Sequence, residues 1–151
     1  MHSQNVQLLV IGYGNPLRRD DGVGPKVAAS VAEWNLPGVR TLIAHQLTPE
    51  LAEPIASAGR VVFVDAGIGP VESVQRREIQ PKNSFEIITH AADPRSLLAL
   101  AKQVFGRCPP ASWLSIPVQD LDFGEELSPL ARQGMEAALA ELRRLAEGAR
   151  P

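Results

Sequence analysis

The stretch VQLLVIGYGNPLRRDDGVGPKVAASVAEW, residues 6–34, contains the pattern that decides the fold. It opens with a short apolar run, residues 6–12, which is rich in β-branched side chains and ends at a glycine, as a buried strand does. A loop rich in glycine, asparagine and proline follows. Apolar side chains then recur at helical spacing over residues 22–34, which predicts an amphipathic helix. Pro25 fits that helix only in its first turn, where a missing N–H group costs nothing.

The remaining sequence continues the alternation of strands and helices. Predicted strands cover residues 39–44, 60–65, 71–79, 85–88 and 113–118. Predicted helices cover residues 48–59, 93–105 and 128–148. Thr48 is the expected N-cap of the first of these, with Pro49 as its first helical residue. Pro117 places the last strand at a strand end or at the sheet edge. The alternation is typical of a mainly parallel twisted sheet of about five strands with helices on both faces, so we predict a single three-layer α/β/α domain over residues 1–151.

Composition narrows the possible classes of function. The 151 residues carry a formal net charge of −2 with both signs interspersed, which argues against nucleic acid as the main partner. Cys108 is the single cysteine, so an internal disulfide is excluded. No apolar run approaches the roughly 20 residues that span a bilayer, and the N-terminus lacks the layout of a signal peptide. We therefore expect a cytoplasmic protein with no membrane partner.

Polar side chains follow the predicted strands at their carboxyl ends, where open parallel sheets bind ligands. Asp20 and Asp21 come after the first strand, and Asp65 closes the third. His45 follows the second strand, and His90 follows a later, weaker one. Two aspartates and one histidine would form a three-ligand metal site with open positions, as a catalytic metal requires.

Structural roles are the competing interpretation of the same residues. Asp20 or Asp21 alone can cap the following helix, which leaves the other carboxylate in need of a metal, a proton or an arginine. Asp65 can be a turn residue, and a lone histidine such as His45 or His90 is more often hydrogen-bonded within the fold. The loop has neither GxGxxG nor GxxxxGK[ST], and its two carboxylates would repel a phosphate. The chain also lacks HExxH and GxSxG, which argues against a helix-borne zinc peptidase and a serine triad.

The loop IGYGNPLRRDDGVG, residues 11–24, closely resembles the first motif of the [NiFe]-hydrogenase maturation proteases. The run VVFVDA, residues 61–66, is similar to their second motif, an apolar strand that ends in aspartate. His90, between a short apolar segment and a helix, resembles their third. The first motif is the specific one, and the resemblance covers nearly the whole chain.

This resemblance implies a metal-dependent, aspartate-type endopeptidase that removes the C-terminal extension of a [NiFe]-hydrogenase large-subunit precursor after nickel insertion. It implies Asp21, Asp65 and His90 as the metal-contacting positions, with nickel carried by the precursor. Zinc or cadmium could substitute, because two oxygens and one imidazole do not select nickel by softness. Asp21 stands where many relatives have glutamate, and is one methylene shorter. Asp20 is the candidate general base, and we expect a monomer.

Two other interpretations stay open at this point. The first is a non-enzymatic α/β module that binds a small anion or a partner chain through the same loop. The second is a metal-assisted peptidase with another substrate, such as a spore-type germination protease. His45 lies where some relatives have a Gly-Thr pattern, so it could contact the substrate or help to select among large subunits.

Overall fold

The computed structural model describes residues 5–67, 73–83 and 93–148, over which five strands and four α-helices alternate. The strands are β1 (Leu8–Tyr13), β2 (Val39–Ala44), β3 (Val61–Ala66), β4 (Gln75–Ile79) and β5 (Ala111–Ile116). The helices are α1 (Val23–Glu33), α2 (Ala52–Ser57), α3 (Pro94–Phe105) and α4 (Pro129–Gly148). Short 3-10 turns, Arg19–Gly22 and Pro49–Leu51, lead into α1 and α2. Within the described residues, no helix combines the length and the apolarity needed to cross a membrane.

The strands form one sheet in the order β2-β1-β3-β5-β4. Strands β2, β1, β3 and β5 are parallel, and β4 runs antiparallel to β5 at the edge. The chain passes from β1 to β2 on one side and then to β3 on the other, so the winding reverses between β1 and β3. The carboxyl ends of these two strands border the crevice where such sheets bind ligands. The predicted three-layer α/β/α fold is confirmed.

Helices cover both faces of the sheet, which explains why β1 is apolar without alternation. Leu8 and Val10 pack against α1 and α4 on one face. Leu9 and Ile11 pack against α2 and α3 on the other. All four side chains are fully buried, so β1 runs through the centre of the core and its carboxyl end is held firmly.

The end of β1 and the start of α1 are in contact through their backbones. A Cβ atom on Gly12 would lie 2.1 Å from the carbonyl oxygen of Gly24, so only glycine fits there. Gly14 has φ +144°, which L side chains rarely adopt, and a Cβ atom on it would lie 2.0 Å from the carbonyl oxygen of Asp21. These contacts fix the path of residues 14–22 at the carboxyl edge of the sheet.

The helices begin close to the predicted residues, but not every predicted N-cap makes a capping hydrogen bond. Thr48 and Pro49 occupy the predicted N-cap and first helical positions, but the Thr48 side chain makes no capping hydrogen bond. By contrast, Oδ1 of Asp93 accepts a hydrogen bond from the Arg95 N–H group (2.7 Å) and caps α3. α2 spans only six residues because Ala58 returns to extended backbone.

Several strand bounds need correction: β1 covers Leu8–Tyr13 rather than residues 6–12, and β3 covers Val61–Ala66 rather than residues 60–65. β4 begins at Gln75 rather than at residue 71, and residues 71–72 lie outside the described part of the chain. β5 begins at Ala111, two residues earlier than predicted, and lies between β3 and β4. Pro117 therefore follows the end of an interior strand, and the sheet-edge alternative is wrong. The predicted strand at residues 85–88 also lies outside the described residues.

Candidate functional site

Asp65 lies near the carboxyl end of β3 and is held by an aromatic side chain from each neighbouring strand. The hydroxyl group of Tyr13, the last residue of β1, donates to Oδ2 of Asp65 (2.8 Å). The indole Nε1 of Trp113, on β5, donates to Oδ1 (3.0 Å). Since β1 and β5 flank β3 in the sheet, the strand order itself brings these donors to the carboxylate.

Burial dominates the electrostatics of Asp65 and raises the pKa of its carboxyl to about 6. The hydrogen bonds from Tyr13 and Trp113 act in the opposite direction, and the negative charge of Asp21 adds to the rise. The pKa of Tyr13 is also raised far above its ordinary value, first by burial and then by the charge of Asp65. Tyr13 therefore stays a hydrogen-bond donor, while Asp65 is a desolvated carboxylate that a cation would stabilise.

Asp21 lies in the 3-10 turn Arg19–Gly22, between β1 and α1. The Asn15 N–H group donates to its Oδ2 (2.8 Å), and its own N–H group donates to the Arg18 carbonyl (3.0 Å). These hydrogen bonds, with the backbone contact at Gly14, fix the position of the Asp21 carboxylate. The structure thus brings Asp21 close enough to Asp65 for its charge to raise the pKa of Asp65.

Asp20, although adjacent in sequence, has a different environment. It is 0% exposed and accepts four hydrogen bonds: from the N–H groups of Gln119 (2.7 Å), Asp120 (3.0 Å) and Ser128 (2.7 Å), and from the Ser128 hydroxyl (2.7 Å). Burial alone would raise the pKa of Asp20, but these bonds lower it below its ordinary value. Both oxygens are engaged and shielded from water, which is the geometry of a structural carboxylate. We therefore replace the predicted general-base role of Asp20 with that of an anchor for residues 119–128.

His45 and Cys108 lie in different parts of the described structure. His90 lies outside the described residues. His45 is exposed, directly after β2. Cys108 precedes β5 and so lies toward the opposite edge of the sheet, where burial raises the pKa of its thiol. Among residues 5–67, 73–83 and 93–148, no three His, Cys, Asp or Glu side chains cluster as a metal site.

A cavity of about 370 Å³ opens beside Asp65. Trp113 and Arg77 form part of its wall, with the Arg77 guanidinium 5.3 Å from the centre of the Trp113 ring. Sequence reasoning missed Tyr13, Trp113 and Arg77 as neighbours of Asp65. A signal for Tyr13 was available, since it lies inside the first motif at the end of a strand. Trp113 and Arg77 become neighbours only through the pairing of β5 with β3 and β4.

Solved structures share this fold over nearly the whole chain. The [NiFe] hydrogenase maturation protease HycI from Thermococcus kodakarensis matches with a TM-score of 0.70 and 24% sequence identity, over 94% of this chain and 93% of that chain. This chain has the fold of the hydrogenase maturation peptidases. The resemblance indicated by the loop at residues 11–24 is thus confirmed at the level of the fold.

Two further solved structures agree. The hydrogenase maturating endopeptidase HybD from E. coli has a TM-score of 0.68 at 20% identity, over 94% of this chain and 93% of that one. A hydrogenase 2 maturation peptidase from a Thaumarchaeota archaeon has a TM-score of 0.66 at 23% identity, over 95% and 99%. No family model matches the sequence, and no curated protein matches it significantly.

Proposed function

We propose that this protein is an endopeptidase that removes the C-terminal extension of a [NiFe]-hydrogenase large-subunit precursor after nickel insertion. The nickel is part of the substrate and arrives in the precursor. Asp21, Asp65 and His90 are the proposed residues that contact it. The maturation-peptidase fold and the first motif, residues 11–24, support the choice of substrate.

The observation that carries the proposal is the pair of carboxylates at the crevice between β1 and β3. The buried carboxyl of Asp65 has its pKa raised to about 6, because its charged form lacks solvation. A metal cation within reach supplies the missing positive charge and so favours the ionised form. Asp21 offers a second oxygen from a loop fixed by backbone contacts. We therefore expect the site to bind a precursor that carries nickel, and to gain no such stabilisation from a nickel-free precursor.

His90 completes the proposed set with a nitrogen ligand. Imidazole and carboxylate together suit nickel or zinc, so selectivity for nickel comes from the precursor that carries it. The metal can polarise the scissile carbonyl or lower the pKa of the attacking water. Asp20 is fully hydrogen-bonded, and both oxygens of Asp65 accept hydrogen bonds from Tyr13 and Trp113. Among the described residues Asp21 accepts a hydrogen bond only at Oδ2, so the proton of that water passes to Asp21 and then to the leaving amine as the peptide bond breaks.

The direct test is incubation of the protein with nickel-loaded and nickel-free precursor. We expect cleavage of the loaded form only, followed on a denaturing gel and by mass spectrometry of the released peptide. Single substitutions Asp21→Ala, Asp65→Ala and His90→Ala should abolish cleavage while the thermal unfolding transition persists. Glu136→Ala, which removes an exposed carboxylate on α4, is the matched control and should cleave normally.

Three outcomes would contradict the proposal. Full cleavage by the His90→Ala protein would remove the proposed ligand set. Equal cleavage of nickel-free precursor would remove the role of the metal. Binding of the loaded precursor without any cleavage would favour the non-enzymatic module instead.

A further inference from the structure

Three large apolar side chains are exposed together on two loops beside the site. Leu17 is 54% exposed, Leu121 39% and Phe123 87%. Leu17 lies on the loop that leads to Asp21, and the other two lie on the loop anchored by Asp20. We call residues 15–19 and 121–124 the paired-loop surface. An exposed patch that combines phenylalanine, leucine and arginine is typical of a protein interaction site.

Backbone hydrogen bonds join the two loops. The Gly124 N–H group donates to the Leu17 carbonyl (2.9 Å), and the Arg19 N–H group donates to the Gly124 carbonyl (2.8 Å). Nε of Arg18 donates to the Leu121 carbonyl (3.2 Å). The apolar side chains are therefore presented from a fixed backbone rather than from two independent loops.

The base of the paired-loop surface is also fixed. Asp20 lies beneath it, fully buried, with donors from residues 119, 120 and 128 on its carboxylate. A loop held this firmly loses little conformational entropy when a partner binds. Folding itself gains almost nothing from Phe123, since most of its ring stays in water. An ordered but unburied aromatic ring of this kind is expected where a second molecule covers it.

We propose that the paired-loop surface docks the folded body of the protein substrate. Leu17 lies four positions before Asp21, so their Cα atoms lie at most about 15 Å apart. A folded protein with its scissile peptide at Asp21 and Asp65 extends over this distance and covers the patch. The exposed side chains of Arg18 and Asp122 border the apolar residues, so the partner that fits is an apolar patch bordered by a carboxylate and a basic group. This inference rests on the proposed function.

The test is steady-state kinetics of Phe123→Ser and Leu17→Ser with the nickel-loaded precursor. We expect KM to rise about ten-fold for Phe123→Ser, with kcat within about two-fold of the unchanged protein. Arg18→Ala should raise KM by a smaller factor that shrinks as salt is added. The matched control is Phe105→Ser at the end of α3, where the ring is 47% exposed, and it should leave both constants unchanged. Thermal unfolding of each variant checks that the fold persists.

The possible outcomes separate this inference from the proposed function. If the unchanged protein fails to cleave loaded precursor, the proposed function is wrong and the docking inference falls with it. If it cleaves, and Phe123→Ser leaves KM unchanged or lowers only kcat, the proposed function stands and the docking inference is wrong. If the protein sediments as a dimer that Phe123→Ser dissociates, the surface joins two copies of this chain, which also overturns the docking of substrate.

Discussion

Two carboxylates at the same edge of the sheet have opposite environments. Asp20 is enclosed by four hydrogen-bond donors, and these lower its pKa. Asp65 is also largely buried but receives two donors, and burial raises its pKa to about 6. The charged form of the aspartate side chain is therefore stabilised by hydrogen bonds at Asp20, whereas at Asp65 a nearby positive charge is needed to stabilise it. The number of donors, more than burial itself, distinguishes a structural carboxylate from a reactive one.

The largest expected effect concerns the satisfied carboxylate. Asp20→Ala leaves the N–H groups of Gln119, Asp120 and Ser128 without their partner, and should lower the free energy of unfolding by about 3–5 kcal/mol. Urea unfolding measures this. Asp21→Ala is the matched control, because that side chain accepts a hydrogen bond from Asn15, and it should cost about 1 kcal/mol. Equal destabilisation by the two variants would contradict the assigned roles.

The pH dependence of stability should separate the two carboxylates. The Asp65 carboxyl ionises at about 6 in the folded protein and near 3.8 when unfolded, so the folded state binds more protons between these values. Its contribution therefore decreases by about 2 kcal/mol as pH rises from about 4 to about 7. Asp20 has a lowered pKa, so its contribution is lost only as pH falls below its unfolded value.

Urea unfolding of the metal-free protein at several pH values measures this difference. Asp65→Asn removes the titrating group and keeps the shape of the side chain. We expect the unchanged protein to lose stability relative to Asp65→Asn across that range. Parallel curves for the two proteins would show that the Asp65 pKa is not raised.

A smaller effect is expected from the donors on Asp65. Tyr13→Phe removes the hydroxyl group that donates to Oδ2, which raises the pKa of Asp65 further and leaves the carboxylate less firmly oriented. Cleavage of loaded precursor should fall about ten-fold, and its acid limb should move to higher pH. Trp113→Phe removes the second donor and should act in the same direction. An unchanged rate and pH profile for both variants would exclude a positioning role.

The smallest effect concerns a carboxylate with a single capping role. Asp93 accepts one backbone hydrogen bond at the start of α3 and forms an ion pair with Lys82 (3.2 Å). Asp93→Ala should lower the free energy of unfolding by about 1 kcal/mol, as the loss of an N-cap does. Asp93→Asn keeps the cap and loses only the ion pair, so it should cost less than about 0.5 kcal/mol. A larger loss for Asn than for Ala would contradict the capping role.

Much of the fold followed from local pattern. Residues 6–34 contain the apolar run of β1, the glycine contacts after it and the apolar spacing of α1. This short stretch therefore determines its own strand, loop and helix. The bounds of β2 were correct, since a strand ended by turn residues needs no distant partner to be recognised. Errors came where tertiary contacts decide, as at β5, whose place inside the sheet depends on pairing with β3 and β4.

The candidate site, like the fold, was determined partly by the sequence and partly by tertiary contacts. The amino-acid sequence by itself determined which carboxylates lie at the strand ends, because Asp21 and Asp65 follow apolar runs whose carboxyl ends share one edge. Only the tertiary structure decided that Asp20 is an anchor, because its donors lie about 100 residues further along the chain. Only the strand order brought Tyr13 and Trp113 to Asp65. A sequence pattern can locate a carboxylate at a strand end. The hydrogen-bond donors that set its pKa are brought to it only by tertiary packing.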